Sequence, residues 1–407
     1  MDENRRLSLQ RSNELHAYGQ DFLSRKKNIP LGLNEPYMGQ YELMKAKILK
    51  ELGGSGADWD DWQWQMRNRI DSHELLDRLI TLSEEDRREI DDVSRKYRWA
   101  ITPYYLALID PENSADAIRG MSVPCTQELA ESGLADPSGE ENTNPAGIIT
   151  RRYPDRLILN VTNSCSTFCR HCQRRRNIGQ TDTDAHSAKI DESLEYIRQN
   201  TELRDILITG GDPLVLSDDF IEDIVARVRV IPHVEIIRIG SRTPVTMPQR
   251  ITPELVGRLK KYHPVFMNTQ FNHPREITPQ SKRACELLRD NGFMLGNQMV
   301  LLGGINDDEY VVRLLNQELL KIGVRPYYMF YAKNVVGTLH FRTSVRRGVE
   351  ILEYLQGNTS GMAIPHYIVS APDGLGKIPL GPEYIVGEDD EYITLRTWED
   401  REVKIKK

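Results

Sequence analysis

At 407 residues the chain is too long for one small domain. About 100–200 residues per domain gives two or three, although a single α/β barrel of about 250 residues would absorb most of it. The 53 basic and 60 acidic residues leave a formal charge of −7. A general nucleic-acid or membrane-surface binder needs a basic face, so both partners are excluded from expectation. No long apolar run suits a membrane span, and the N-terminus lacks the apolar stretch of a signal peptide. The expected setting is cytoplasmic.

In chain order, the first 35 residues are polar and carry no clear period, which reads as a loosely ordered arm. Gly39–Gly54 reads as a helix stopped by two glycines. Ser83, with Asp86 three residues on, caps a further helix through RREIDDVSRKYRW. Residues 111–149 are rich in Pro, Ser, Asn and acidic residues and read as a linker or irregular crossover. From about residue 156 the pattern changes. RLILNVT, DILITGG, VEIIRIGS, PVFMNTQF, FMLGNQMVLL and VRPYYMFY are β-rich, and amphipathic helical segments separate them. Six strand–helix units imply a parallel sheet with right-handed crossovers, either a barrel wall or doubly wound. Asn163, Gly210–Asp212, Ser241–Arg242, Gln270–His273 and Lys333–Asn334 follow the strands, where a parallel barrel places its active-site mouth. From about 361 a glycine-rich loop lies between two more strands. The expected division is a mainly helical region over 1–149, a barrel region over 150–345 and a C-terminal segment over 346–407.

Five cysteines cannot make a disulfide scaffold, and an odd number points to metal or redox chemistry. Cys125 and Cys285 stand alone, whereas Cys165, Cys169 and Cys172 lie together as CSTFCRHC just after the first strand. Thiolates are soft ligands for iron–sulfur clusters or zinc. Structural zinc normally takes four ligands, for which His171 would have to be the fourth. Three thiolates on a four-iron cluster leave one iron open for chemistry.

The cysteine spacing and the loop ITGGDP resemble the radical S-adenosylmethionine (SAM) enzymes. The resemblance implies a partial (β/α)6 TIM-like barrel, with a [4Fe–4S] cluster on Cys165, Cys169 and Cys172 whose open iron chelates SAM. Reduction then yields a 5′-deoxyadenosyl radical. Gly210, Gly211 and Asp212 are implied to hold the methionine end, the glycine pair permitting close approach. ADWDDWQWQMRNRI, AITPYYLALIDP, RYPDR, CRHCQRRR, GSRTPV, PQRITPEL, FNHP and HFRT resemble the lysine 2,3-aminomutase branch, which adds pyridoxal 5′-phosphate (PLP). On that resemblance Lys377, in APDGLGKIP, is the PLP lysine of the C-terminal segment. Arg152, Tyr153 and Arg156 anchor the cofactor phosphate, Gln298 touches the adenosyl group, and Arg174 grips the substrate α-carboxylate. Arg175 and Arg176 compete for that last role. At Gln270 the lysine enzymes carry a histidine.

Two departures matter. The lysine enzymes clamp the distal ammonium of their substrate with two aspartates, and at those positions this chain has Lys333 and Ser370. A cationic side chain would meet like charge there, whereas an anionic one gains a partner. The pattern resembles the glutamate 2,3-aminomutases and implies conversion of L-glutamate to β-glutamate. Asn334 and Asp373 are nearby polar alternatives. Aspartate or lysine as substrate, or a non-catalytic iron–sulfur or zinc protein of the same fold, are the competing readings. The second departure concerns zinc: Cys285 matches an internal zinc ligand of the lysine enzymes, but no cysteine follows it, so it reads as a small buried residue. The resemblance also implies a one-electron reductant of flavodoxin or ferredoxin type, and a homo-oligomer.

Overall fold

Seven strands run parallel in unbroken sequence order at the centre of the molecule. In the computed structural model, which describes residues 2–407, a short strand β1 (Ile149–Thr150) pairs antiparallel with β2 (Arg156–Asn160). Then follow β3 (Asp205–Thr209), β4 (Ile236–Gly240), β5 (Val265–Thr269), β6 (Met294–Leu301), β7 (Val324–Tyr331) and β8 (His366–Ser370), each parallel to the last. β9 (Lys377–Leu380) turns back antiparallel on β8. The sheet is open: its order begins at β1 and ends at β9. The six expected strand–helix units are all present, and β8 extends the parallel run by one strand.

The crossover helices follow from their caps and faces. Ser217, Thr252, Thr278, Asp308 and Ser344 each accept a hydrogen bond from the first turn of the helix they open. The helix Asp218–Arg229 turns Ile221, Ile224, Val225 and Val228 inward, toward the sheet, where Ile237 and Ile239 of β4 are wholly buried. One continuous apolar cluster joins this layer to Trp59, Tyr104 and Tyr105 of the N-terminal region.

The first residues are not a loose arm. Glu3–Arg25 is a 23-residue helix capped by Asp2. Phe22 is its one buried residue, so no apolar period marks it in the sequence. It is held at points: Phe22 stacks on Tyr310 with the Arg313 guanidinium over its ring, Tyr18 meets Trp398, and Arg11 pairs with Glu399. Residues 111–149 are mostly irregular as expected, with one helix, Ala117–Ser122, and short turns. They are not a free linker, because Glu128, Ser138 and Glu140 are buried. A further sheet of β10 (Ile385–Glu388), β11 (Tyr392–Arg396) and β12 (Glu402–Lys406) closes the chain. β12 has every residue exposed. Among the described residues no helix is long and apolar enough to cross a membrane.

Candidate active site

The C-terminal ends of the parallel strands surround a cavity of about 250 Å³. Cys165, Cys169 and Cys172 line it together with Lys377 and Arg156, and Arg174, Lys333 and Ser370 also face it. The sequence-derived site residues therefore meet in one place, although they span residues 152–377.

The cysteine loop is gripped by the N-terminal region. Phe168 is wholly buried and packs with Ala100 and Ile178, Cys165 and Cys172 lying against this small cluster. Its backbone N–H donates to the Ala100 carbonyl at 3.0 Å, and that of Arg170 donates to Met121 at 2.9 Å. Arg170 makes a two-pronged contact with the buried Glu128 carboxylate, at 2.9 and 2.6 Å. Arg175 also pairs with Glu128, donates to the Gly337 carbonyl and stacks on Tyr97. Arg175 is thus committed to structure. Arg176 pairs with Asp136 at 3.2 Å and also sits outside the cavity wall, leaving Arg174 as the arginine that faces in.

The donor set suits an iron–sulfur cluster. Three thiols line one cavity, and burial raises the pKa of Cys165 and Cys172. Among the described residues no three His, Cys, Asp or Glu side chains converge on a single-ion position. A four-iron cluster makes no such demand, since each thiolate takes a different iron. Burial, with Arg242 and Arg170 nearby, keeps His171 neutral. Cys285 is wholly buried within Pro279–Asp290, its thiol pushed up to about 12 by that burial.

The glycine pair after β3 has a structural reason in the packing of its loop. Gly210 has φ +138°, and a Cβ there would lie 2.4 Å from the Thr162 carbonyl oxygen. At Gly211 it would lie 2.2 Å from that of Ser164, the residue before Cys165. Both are therefore pressed against the cluster loop. The Asp212 carboxylate accepts from Ser241 Oγ at 2.7 Å, Leu214 N at 3.1 Å and Arg242 N at 2.7 Å. It pins the β3 and β4 loops together. Gln298 and Gln270 both line the cavity, and Gln298 follows a register shift in the β6–β7 pairing.

Ser370 and Lys377 are direct partners in the β8–β9 hairpin, and the glycine-rich loop between them turns through Gly374 and Gly376 at positive φ. Lys377 is exposed by area, but the Nζ sits 4.4 Å from the Tyr328 ring centroid. Burial of the amine and the charges of Arg238, Arg156 and Arg152 lower its pKa to about 8. An amine beside three arginines and an aromatic face suits an aldehyde cofactor bearing a phosphate. Arg156 stacks on Tyr153 at 3.8 Å, and Arg152, Tyr153 and Arg156 all line the cavity. Arg238, on β4, is a cation the sequence reading missed.

Lys333 follows β7, and its ammonium donates to Ser138 Oγ at 2.7 Å. Burial, then Arg152 and Arg174, lower its pKa to about 7, against the opposing pull of Glu140. Glu140 is nearly buried at 7 % exposure. Its carboxylate accepts from Arg174 Nε at 3.1 Å and lies 3.5 Å from Arg152. Burial alone would raise its pKa, but Arg174, Arg152 and Lys333 outweigh that and hold it below the usual range. The segment carrying Ser138 and Glu140 is stitched to the Lys333 loop, where Leu134 N donates to the Asn334 carbonyl at 2.9 Å and Val336 N to that of Leu134 at 3.1 Å. Asn334 and Asp373 lie outside the cavity wall.

A Radical SAM superfamily model matches residues 159–315, and a Lysine-2,3-aminomutase model matches residues 352–402. Glutamate 2,3-aminomutase of Clostridioides difficile is 54 % identical over 406 residues, covering 100 % of this chain and 96 % of its own. L-lysine 2,3-aminomutase of Clostridium subterminale is 50 % identical, covering 87 % and 85 % respectively. That of Acetoanaerobium sticklandii is 51 % identical over 88 % and 86 %. With three clustered cysteines, a cavity lysine and full-length similarity of this order, the chain belongs to the 2,3-aminomutase branch of the radical SAM superfamily, isomerases that work with a [4Fe–4S] cluster, SAM and PLP.

Proposed function

We propose that the protein converts L-glutamate to β-glutamate by moving the amino group from Cα to Cβ. The observation that carries this is Lys333, an ammonium lining the same cavity as Arg174 and Lys377. Whole-length similarity to a glutamate 2,3-aminomutase supports it. When bound, SAM on the reduced cluster supplies a 5′-deoxyadenosyl radical, and PLP carries the migrating nitrogen. The net change is an exchange of positions: hydrogen leaves Cβ and one returns to Cα, so the substrate gains and loses no atom.

The residues of the chain divide the remaining tasks. Cys165, Cys169 and Cys172 hold the cluster, and Gly210, Gly211 and Gln298 border SAM, with Asp212 bracing their loop. Arg152, Tyr153 and Arg156 hold the cofactor phosphate, and Lys377 anchors its aldehyde carbon through Nζ. The Arg174 fork binds the planar α-carboxylate in two-pronged fashion. Lys333 and Ser370 take the side-chain carboxylate. Held at both ends, the substrate presents Cβ to the radical while the cavity wall excludes water. A lysine substrate would place its ammonium against Lys333, with Arg152 and Arg174 close behind. Electrons come from a flavodoxin- or ferredoxin-type donor in the cytoplasm.

The test is anaerobic. The protein is reconstituted with iron, sulfide and PLP, given SAM and reductant, and offered glutamate, aspartate or lysine separately. β-Amino acid is read by NMR. β-Glutamate as the main product supports the reading, and β-lysine as the main product overturns the specificity assignment.

A further inference from the structure

Three of the sequence motifs, AITPYY, GSRTPV and FNHP, have no part in the scheme above, yet they meet at one cluster ligand. Arg242, in the loop after β4, is 7 % exposed. Its backbone N–H is fixed by Asp212 at 2.7 Å, so the side chain leaves the loop in a set direction. Nη1 donates to the Sγ of Cys169 at 2.7 Å. Nη2 donates to Tyr105 Oη at 2.8 Å and to Glu276 Oε1 at 2.7 Å, and Nε to the Gln270 carbonyl at 3.2 Å. Glu276 is wholly buried and anchored without Arg242. Its Oε1 also accepts from Tyr105, and Oε2 accepts from the backbone N–H groups of Asn272 and His273 at 2.5 and 2.9 Å.

The result is a buried ion pair in contact with a cluster ligand. The guanidinium touches the cysteine sulfur, and the carboxylate lies behind it. A cluster held by thiolates gains one negative charge on reduction. A cation in contact with a ligand sulfur favours that reduced state, and hydrogen bonds to sulfur act in the same sense. The carboxylate opposes it from farther away.

We propose that Arg242 is a positioning residue that sets the reduction potential of the cluster through Cys169, with Glu276 and Tyr105 fixing its charge in place. The reducing electron comes from the external donor, and no bond is made or broken at Arg242. The inference rests on membership of the family and holds whichever amino acid is the substrate.

The test is an EPR-monitored redox titration of the reconstituted cluster without SAM, in the full-length protein. Iron content and circular dichroism are checked for each variant. Arg242→Gln should be reduced about tenfold less at a given applied potential, a shift of about 59 mV downward for one electron. Glu276→Gln, which leaves Arg242 uncompensated, should shift the potential upward. The double variant, with no buried charge left unpaired, should fall between the two. Shifts of both single variants in the same direction, or a wild-type titration of Arg242→Gln, would overturn the proposal. Should Arg242→Gln fail to retain its cluster, Glu276→Gln decides alone: a rise supports the proposal, and no shift or a fall refutes it.

Discussion

Replacing Lys333 by Met removes the charge of the ammonium while keeping a long unbranched side chain. A charge pair at about 4 Å is worth about 4 kcal/mol at an effective dielectric of about 20. Losing one partner of a desolvated pair costs about 2–5 kcal/mol. Lys333 is half-buried, and Arg152 and Arg174 still provide positive potential nearby, so the lower part of that range applies, about 2–3 kcal/mol. This predicts a fall in kcat/KM for glutamate of about 30- to 150-fold. The contact is made at a non-reacting end of the substrate, alike in the ground and transition states, so the loss belongs mainly in KM. The assay is steady-state formation of β-glutamate, with cluster iron and bound PLP measured in the same samples. A KM within about threefold of wild type, in a variant with full cofactor content, would refute the role of Lys333.

The other predictions concern its neighbours. Lys333 titrates near 7 in the free protein, and its charged form exists below that pH. The kcat/KM for glutamate should therefore fall as pH rises through an alkaline limb, and Lys333→Arg, which stays protonated, should move that limb up by about a unit or more; coincident profiles would count against it. Glu140→Gln should raise KM about tenfold by loosening Arg174, with a smaller effect on kcat, whereas a lowered KM would mean that Glu140 competes with substrate for that arginine. Gly211→Ala would set a Cβ 2.2 Å from the Ser164 carbonyl oxygen, so iron incorporation should drop while far-ultraviolet circular dichroism stays near wild type; full iron loading would contradict the close packing inferred there.

What the sequence made legible followed physical scale. The six strands of the barrel region are short and rich in β-branched and apolar residues with one face buried, so local composition reveals them. Cys165, Cys169 and Cys172 lie within one loop and announce their chemistry by spacing. The β8–β9 hairpin puts Ser370 directly opposite Lys377, so counting back along the chain located a second wall of the pocket. Ser138 and Glu140 were hidden because an acidic, proline-rich stretch looks the same whether solvated or buried. Their burial depends on the Lys333 loop, almost two hundred residues away. Arg242 was noted only as a residue after a strand, since nothing local indicates that its partners are Tyr105, Cys169 and Glu276. The N-terminal helix escaped notice for the opposite reason, having almost no buried face to leave a period.

The central claim is a choice between side chains of opposite charge in one cavity, and competition measures that choice directly. Equimolar glutamate, aspartate and lysine are supplied together to the reconstituted enzyme, and the initial ratio of β-amino acids gives the ratio of their kcat/KM values. The account predicts β-glutamate in excess over β-lysine by about a thousandfold or more. Comparable amounts of the two, or β-lysine in excess, would contradict it.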